Sequence, residues 1–192
     1  MKMEIRKLAT VQMGYSFRSR LETSESGDVA VIQMKDLLED NTVGCDGLVR
    51  VDMETIKEHH LAQKGDLVFR SRGHLNTSAI LLDDPGRAVV AAPLLRIRIT
   101  QPDIVLAEYL NWYISQRDAQ RYFTSRQEGT SVNMISRKQL EEMPVAVPPL
   151  EQQKNIVALA SLSAREQTIL RTLTEKRKQY IAVTLMQIAK GE

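Results

Sequence analysis

The stretch Met143-Pro144-Val145-Ala146-Val147-Pro148-Pro149-Leu150-Glu151-Gln152-Gln153 divides the chain in two. It opens as a short extended piece, Pro144 to Val147, passes through two prolines and enters a segment of different character. Residues 151–192 contain no proline, and Gly191 is their sole glycine. Such a segment can run as one uninterrupted helix. Leu159, Leu162, Ile169, Leu173, Tyr180 and Val183 fall at alternating three- and four-residue spacings once the polar Glu166 and Lys176 are admitted at two interrupted positions. A second stripe carries Ile156, Leu170, Ile181, Leu185 and Ile188. At 1.5 Å per residue a helix over 151–189 is about 58 Å long. It cannot bury two apolar stripes against itself, so it needs a partner. The expectation is a coiled coil with a second chain, in which the polar positions help set register and orientation. The bland alternative is a helix folded back on its own domain.

Upstream of Pro148 the pattern changes to short β-like segments separated by turns. Met1 to Arg6 reads as the start of a strand, and Val29 to Gln33 and Leu48 to Val51 read as strands. So does Asp66 to Ser71, entered through a Lys64-Gly65 turn. Thr77 to Leu82 and Arg87 to Ala92 flank Asp84-Pro85-Gly86, which predicts a hairpin. Leu94 to Ile99 alternates apolar and arginine side chains, as a half-buried strand does. Ile104 to Phe123 reads as helix, with Leu106, Tyr109, Leu110 and Tyr113 on one face. Strands followed by helices without regular βα alternation predict an α+β fold: a mixed domain over residues 1–149, then one long helical segment over 150–192.

Composition narrows the function classes without choosing one. The 192 residues are 43% apolar and 26% charged, the balance of a globular protein, and net charge is only +2. No apolar run is long enough to cross a bilayer, and the first residues lack the apolar stretch of a signal peptide. A single cysteine, Cys45, forms no internal disulfide, and a cytoplasmic setting is expected. Positive charge gathers twice. Arg70, Arg72, Arg87, Arg96 and Arg98 stand against Asp83 and Asp84; Arg117, Arg121, Arg126, Arg137 and Lys138 stand against Asp118 and Glu128. Either cluster is a solvated surface or an electrostatic footprint for nucleic acid.

Catalytic motifs are missing. His59, His60 and His74 have no zinc-protease spacing, and His59-His60 reads as a surface pair. One cysteine builds no thiolate zinc site. The glycines are scattered rather than gathered in a phosphate loop, and neither an Asn-Pro-Pro-aromatic motif nor a common nuclease core is present. No cofactor or metal is expected.

Taken in order, several strings resemble the specificity subunit of type I restriction-modification systems, and one half of such a subunit in particular. They are Gly14-Tyr15-Ser16-Phe17-Arg18, Val31-Ile32-Gln33-Met34-Lys35-Asp36-Leu37, Lys64-Gly65-Asp66-Leu67-Val68-Phe69-Arg70-Ser71-Arg72-Gly73, Tyr109-Leu110, Gly129-Thr130-Ser131 and the Met143–Gln153 string. The last is the most specific. The resemblance implies a non-catalytic target recognition domain joined to a spacer helix. Such units usually occur in tandem, with antiparallel spacer helices and one recognition domain for each half of a split DNA site. The implied partners are double-stranded DNA, methyltransferase subunits and, through them, the restriction subunit. With one unit only, this chain pairs with itself, pairs with a different half-subunit, or is a remnant. A self-paired chain reads an interrupted palindrome.

DNA reading needs side chains for base edges and clamps for phosphates. The segment Arg70-Ser71-Arg72-Gly73-His74-Leu75-Asn76-Thr77-Ser78 offers both, with Arg70, Arg72, His74, Asn76, Thr77 and Ser78 as candidates and Gly73 allowing close backbone approach. A polar hairpin loop is the alternative. A second segment, Ser125 to Asn133, offers Arg126, Gln127, Thr130, Ser131 and Asn133, with Arg137 and Lys138 nearby; Gly129 equally suits a helix C-cap. Arg18 and Arg20 are candidate phosphate contacts, whereas Phe17, Tyr109, Trp112 and Tyr113 read as core. Two rival classes stay open: an assembly protein that uses its long helix without reading DNA, and a small nuclease of an unrecognised type.

Overall fold

A computed structural model of the protein describes residues 1–17, 24, 26–53, 55–73, 76–126 and 134–191. The chain forms two units, Met1–Lys154 and Asn155–Glu192. Along it run β1 (Lys2–Glu4), β2 (Ala9–Met13), β3 (Val29–Ile32), β4 (Val49–Val51), β5 (Leu67–Phe69), β6 (Ser78–Ile80), β7 (Ala88–Val90) and β8 (Leu95–Ile99). Helices α1 (Ala107–Ile114), α2 (Arg117–Arg126) and α3 (Arg137–Glu141) follow, then β9 (Pro144–Ala146) and α4 (Leu150–Lys190). This is the α+β class the sequence predicts.

The described strands assemble into three sheets: β1-β9, β2-β8-β5-β6 and β4-β3-β7. The four-stranded sheet is antiparallel throughout. In the three-stranded sheet β3 runs antiparallel to β4 and parallel to β7. One core cluster joins Ala30, Ile32, Ala88 and Val90 to Val68, Ala79 and Leu81. A second gathers Val29, Val31, Val51, Val89 and Ala91 with Tyr15 and Phe17 against them. Alternate residues of β3 and β7 therefore face two different cores, which is why both strands are continuous apolar runs. The four-stranded sheet turns Phe69 towards α2, where it meets the Phe123 ring at 5.3 Å.

The expected hairpin of residues 77–82 with 87–92 does not form. β6 pairs with β5, whereas β7 crosses to the other sheet and lies parallel to β3. The turn itself exists: Gly86 has φ +67°, and its N–H donates to Asp84 Oδ1 at 3.0 Å. A turn signal marks a reversal of the chain and does not say which strand comes next to which. All three residues of the apolar Ala88-Val89-Val90 are buried, at the edge of the three-stranded sheet beside β3.

The expected helix over 104–123 is two helices, broken at Ser115–Gln116. Glutamine side chains add hydrogen bonds to carbonyls at the end of α1. Gln116 Nε2 donates to Trp112 O at 2.8 Å, and Gln120 Nε2 donates to Ile114 O at 2.7 Å. Glutamine is an ordinary helix former, so helical periodicity does not reveal this break.

Gly14 has a sharper role than a turn. A Cβ there would stand 2.6 Å from Ala91 C and 2.7 Å from Ala92 N, both backbone atoms. The close approach lets Tyr15 N–H donate to Val90 O at 2.7 Å and Ala92 N–H donate to Tyr15 O at 3.0 Å, tying the end of β2 to the β7 exit.

The first turn of α4 belongs to the first unit. Gln153 is fully buried; its Oε1 accepts from Leu106 N–H at 2.9 Å, and its Nε2 donates to Ile104 O and Pro148 O, each at 2.8 Å. At the other end of this unit Val147 N–H donates to Met1 O at 2.7 Å, extending the β1-β9 pairing. In the second unit α4 continues unbroken to Lys190, and its 41 residues make it about 62 Å long. Leu159, Leu162, Ile169, Leu173, Tyr180 and Val183 are 58–72% exposed. Among the described residues no helix is long and apolar enough to cross a membrane.

Candidate nucleic-acid interface

Much of the positive charge that the sequence gathers between Arg70 and Arg98 is spent inside the fold. Asp66, 1% exposed, accepts from Arg98 Nε and an Arg98 terminal nitrogen at 2.7 Å each and lies 3.7 Å from Arg96 Nε. Arg96 also donates to Gln12 Oε1 at 2.7 Å, and both arginines donate to Leu61 O. Burial lowers the Arg96 guanidinium from its ordinary pKa, and Asp66 opposes that shift. Arg87 pairs with Asp28, and Arg70 donates to Leu37 O. Arg72 stays exposed.

The loop that carries Arg72 is built from both ends. Arg70 N–H donates to Thr77 O at 2.8 Å, which continues the β5-β6 ladder by one rung. Asn76 is buried; its amide donates to Arg70 O at 3.0 Å, and its own carbonyl accepts from Gln120 Nε2 at 2.9 Å. Ser78 is buried and donates to Asn111 Oδ1 at 2.7 Å, while the Asn111 amide donates to Asn41 O at 3.0 Å. Thr77 is half-buried. Asn76 and Ser78 thus shape the loop from beneath. Gly73 has φ +121°, and nothing lies within 4 Å of a Cβ built there. Its glycine answers to backbone conformation rather than to close approach within the chain.

The second segment meets the first. Arg72 and Met134 form an antiparallel bridge, Ile135 N–H donates to Ser71 O at 2.8 Å, and Arg72 Nε lies 3.3 Å from Met134 Sδ. Arg126 is the last described residue before positions 127–133, and Met134 is the first after them. Arg126 is exposed, with its guanidinium carbon 5.2 Å from the Tyr122 ring centroid. Its carbonyl accepts from Gln139 Nε2 at 3.1 Å, and Tyr122 OH donates to Gln139 O at 2.9 Å. Burial raises the Tyr122 pKa, and Arg126 opposes it. Ser136 caps α3 in a reciprocal capping box with Gln139. On that helix Arg137 pairs with Glu141 at 2.7 Å and Lys138 with Glu142 at 3.9 Å; both cations are exposed.

The candidates Arg18, Arg20, His74, Gln127, Thr130, Ser131 and Asn133 lie outside the described residues. Sequence reading missed Gln120 and Asn111, which brace the Arg72 loop, and Gln139, which holds the end of α2 at Arg126. A polar residue on the apolar face of α1 was the available signal for Asn111. His60, beside Tyr15, shares a 3.1 Å contact between its Nδ1 and Gln12 Nε2, and burial lowers its pKa, with His59, Arg96 and Lys57 adding to the shift. No group of metal-ligating side chains occurs among the described residues.

Comparison with known proteins agrees with this architecture. The family model for the type I restriction modification DNA specificity domain matches residues 1–179. No curated protein matches the chain. A structure described as the basis of complex assembly and conformational transition of the type I R-M system is similar, with a TM-score of 0.66 and 19% identity over 88% of this chain and 39% of that one. The HsdS subunit from Thermoanaerobacter tengcongensis aligns with a TM-score of 0.64 and 17% identity, over 89% of this chain and 38% of that one. The type I restriction-modification S subunit from M. genitalium gives 0.56 and 12%, over 93% and 42%. At these identities the likeness is one of fold, and this chain spans about two fifths of each of those chains.

Proposed function

The chain belongs to the type I restriction modification DNA specificity domain family, and from that premise we propose that it is a non-catalytic module reading double-stranded DNA for methyltransferase subunits and, through them, a restriction subunit. The observation that carries this reading is the Arg72–Met134 bridge. It joins the loop that carries exposed Arg72 to the chain just before α3, whose Arg137 and Lys138 are exposed. Arg72, on a loop braced by Asn76, Ser71 and Ser78, contacts a base edge; a bidentate arginine on guanine fits its chemistry. Arg126, Arg137 and Lys138 contact phosphates, which fix register without reading sequence. The recognition domain comprises residues 1–149. The long helix pairs with another such helix, in a second copy or a different half-subunit, and its exposed stripes support this role.

The test is selection of bound duplexes from a random pool by the chain with its methyltransferase, followed by affinities over a range of salt. Binding should fall steeply with salt as counterions are released. Arg72→Ala should relax preference at one base position by about 1–3 kcal/mol, and Arg126→Ala should weaken all sequences alike with a salt slope lower by about one. An equal loss on every sequence for Arg72→Ala removes the base-reading role from that loop. Absence of salt-dependent DNA binding refutes the reading as a whole.

A further inference from the structure

Gln120 belongs to neither candidate segment, yet its side chain is tied to the first of them. Its Nε2 donates to Asn76 O at 2.9 Å and to Ile114 O at 2.7 Å. A side-chain amide has two hydrogens, so both donors are committed and none is left to offer a base. One turn along α2 the buried Phe123 ring packs on Phe69, the residue before Arg70. Helix positions three apart are neighbours on the surface, so one face of α2 meets the β5 side of the Arg72 loop through Phe123 and its β6 side through Gln120. Asn76 closes this grip, since its amide crosses the loop to Arg70 O at 3.0 Å. Ser71 is fastened by Ile135 N–H and by Pro93 O where the loop begins, and Gln120 fastens Asn76 where it ends.

The far end of the same helix is held by different bonds. Tyr122 OH donates to Gln139 O at 2.9 Å, and Gln139 Nε2 donates to Arg126 O at 3.1 Å. These tie Arg126 to α3 and do not involve the Arg72 loop. Helix α2 therefore carries one tie that governs where the Arg72 backbone stands and another that governs where Arg126 stands. The two cations differ in how much displacement they tolerate. A phosphate contact rests on charge attraction, which acts over a range of positions. A bidentate contact to a base edge needs its donors placed within about 0.5 Å and 10–20°. Loosening the loop thus removes discrimination between bases before it removes attraction to the backbone.

We infer that Gln120 is a positioning residue for base reading: it contacts no base itself and aims Arg72 by holding Asn76. This rests on the reading of Arg72 as the side chain that contacts a base edge, and it adds the residue on which that preference depends.

The test compares wild type, Q120M, R72A, Y122F and the double variant R72A/Q120M. Each is used as the full chain with its methyltransferase, in selection from a random duplex pool and in affinity measurements over a range of salt. Methionine has the length and nearly the helix propensity of glutamine but donates nothing, so Q120M removes both bonds and keeps the stem. Discrimination is a ratio of affinities for two duplexes, so any loss of folded protein cancels out of it. Q120M should lower discrimination about fivefold, the worth of one net hydrogen bond, at the same base position that R72A relaxes. Its salt slope should equal that of wild type, because no phosphate contact is lost. R72A/Q120M should discriminate no worse than R72A, since the tie has nothing left to aim. Y122F, at the other tie, should keep the wild-type base preference. An equal loss of affinity on every sequence for Q120M would mark a merely structural role and overturn the inference. So would a Q120M profile identical to wild type, a loss of preference at a position that R72A leaves intact, or the same loss in Y122F. If R72A itself relaxes no base position, the base-reading assignment fails and the inference with it; that result is read from R72A alone, so the two failures are distinct.

Discussion

Replacing Gln153 by alanine offers the sharpest check on how the first turn of α4 is anchored. Its side chain is fully buried and makes three hydrogen bonds, accepting from Leu106 N–H and donating to Ile104 O and Pro148 O. Alanine removes all three and leaves a part-buried backbone donor and two part-buried carbonyls without that partner. A net hydrogen bond contributes about 1 kcal/mol, and an orphaned buried group costs about 1–3 kcal/mol. Allowing for partial relaxation, the loss comes to about 4 kcal/mol, a large share of the stability of an ordinary domain. With a urea slope of about 2 kcal/mol per molar, the unfolding midpoint should fall by about 2 M. Trp112 is the single tryptophan and sits in α1, within the same unit, so its fluorescence reports this transition. The neighbouring Gln152 is exposed, and Gln152→Ala should shift stability by less than about 0.5 kcal/mol. Gln153→Glu keeps an acceptor for Leu106 but sets a carboxylate against two carbonyls, so it should cost at least as much as alanine near neutral pH. A Gln153→Ala protein within about 1 kcal/mol of wild type, or indistinguishable from Gln152→Ala, would falsify the anchoring argument.

Three other changes probe the scaffold of the reading loops. Gly14→Ala pushes a methyl into the Ala91–Ala92 backbone and should destabilise by about 2 kcal/mol or more, seen as a lower urea midpoint with unchanged slope. Asp66→Asn leaves Arg96 and Arg98 without their buried counterion and should cost about 3–5 kcal/mol by the same measurement; a neutral result would mean the network contributes little. His60, which burial holds below its ordinary pKa of 6.5, should titrate below that value by NMR. Because the unfolded chain takes up its proton first as pH falls, the His60 contribution is fully present above 6.5 and lost as pH drops through the folded value. His60→Gln should flatten that part of the stability curve, and an imidazole titrating at or above 6.5 would contradict the burial seen here.

The parts of the fold that sequence disclosed are those governed by local pattern. A long stretch without proline gave away α4, and Leu94 to Ile99 announced β8 through its alternation. The Met143–Gln153 string marked the junction but not that Gln153 rather than Gln152 is buried, because a helix face is chosen by what packs on it. β7 could not be assigned to its sheet, since an apolar run buried on both faces carries no record of its neighbours. Residue type picked out both candidate segments, but the bridge between Arg72 and Met134, sixty-two positions apart in the chain, is a tertiary event. Counting charges misled most. Asp66 lies just before the segment scored as basic, and only the structure reveals that Arg96 and Arg98 converge on it.

The clasp between β1 and β9 bears on how such a module could be traded between genes. Residues 1 and 147 are joined by a backbone hydrogen bond, so the two cuts that would free this domain from a longer chain lie at one place in space. A domain with adjoining ends can be lifted out and replaced, or its chain order permuted, with disturbance confined to the seam. Here the seam is a single two-stranded ribbon that includes neither candidate segment. An exchanged copy would need to match its host only along that ribbon and at the helix root, and could carry any loops it liked.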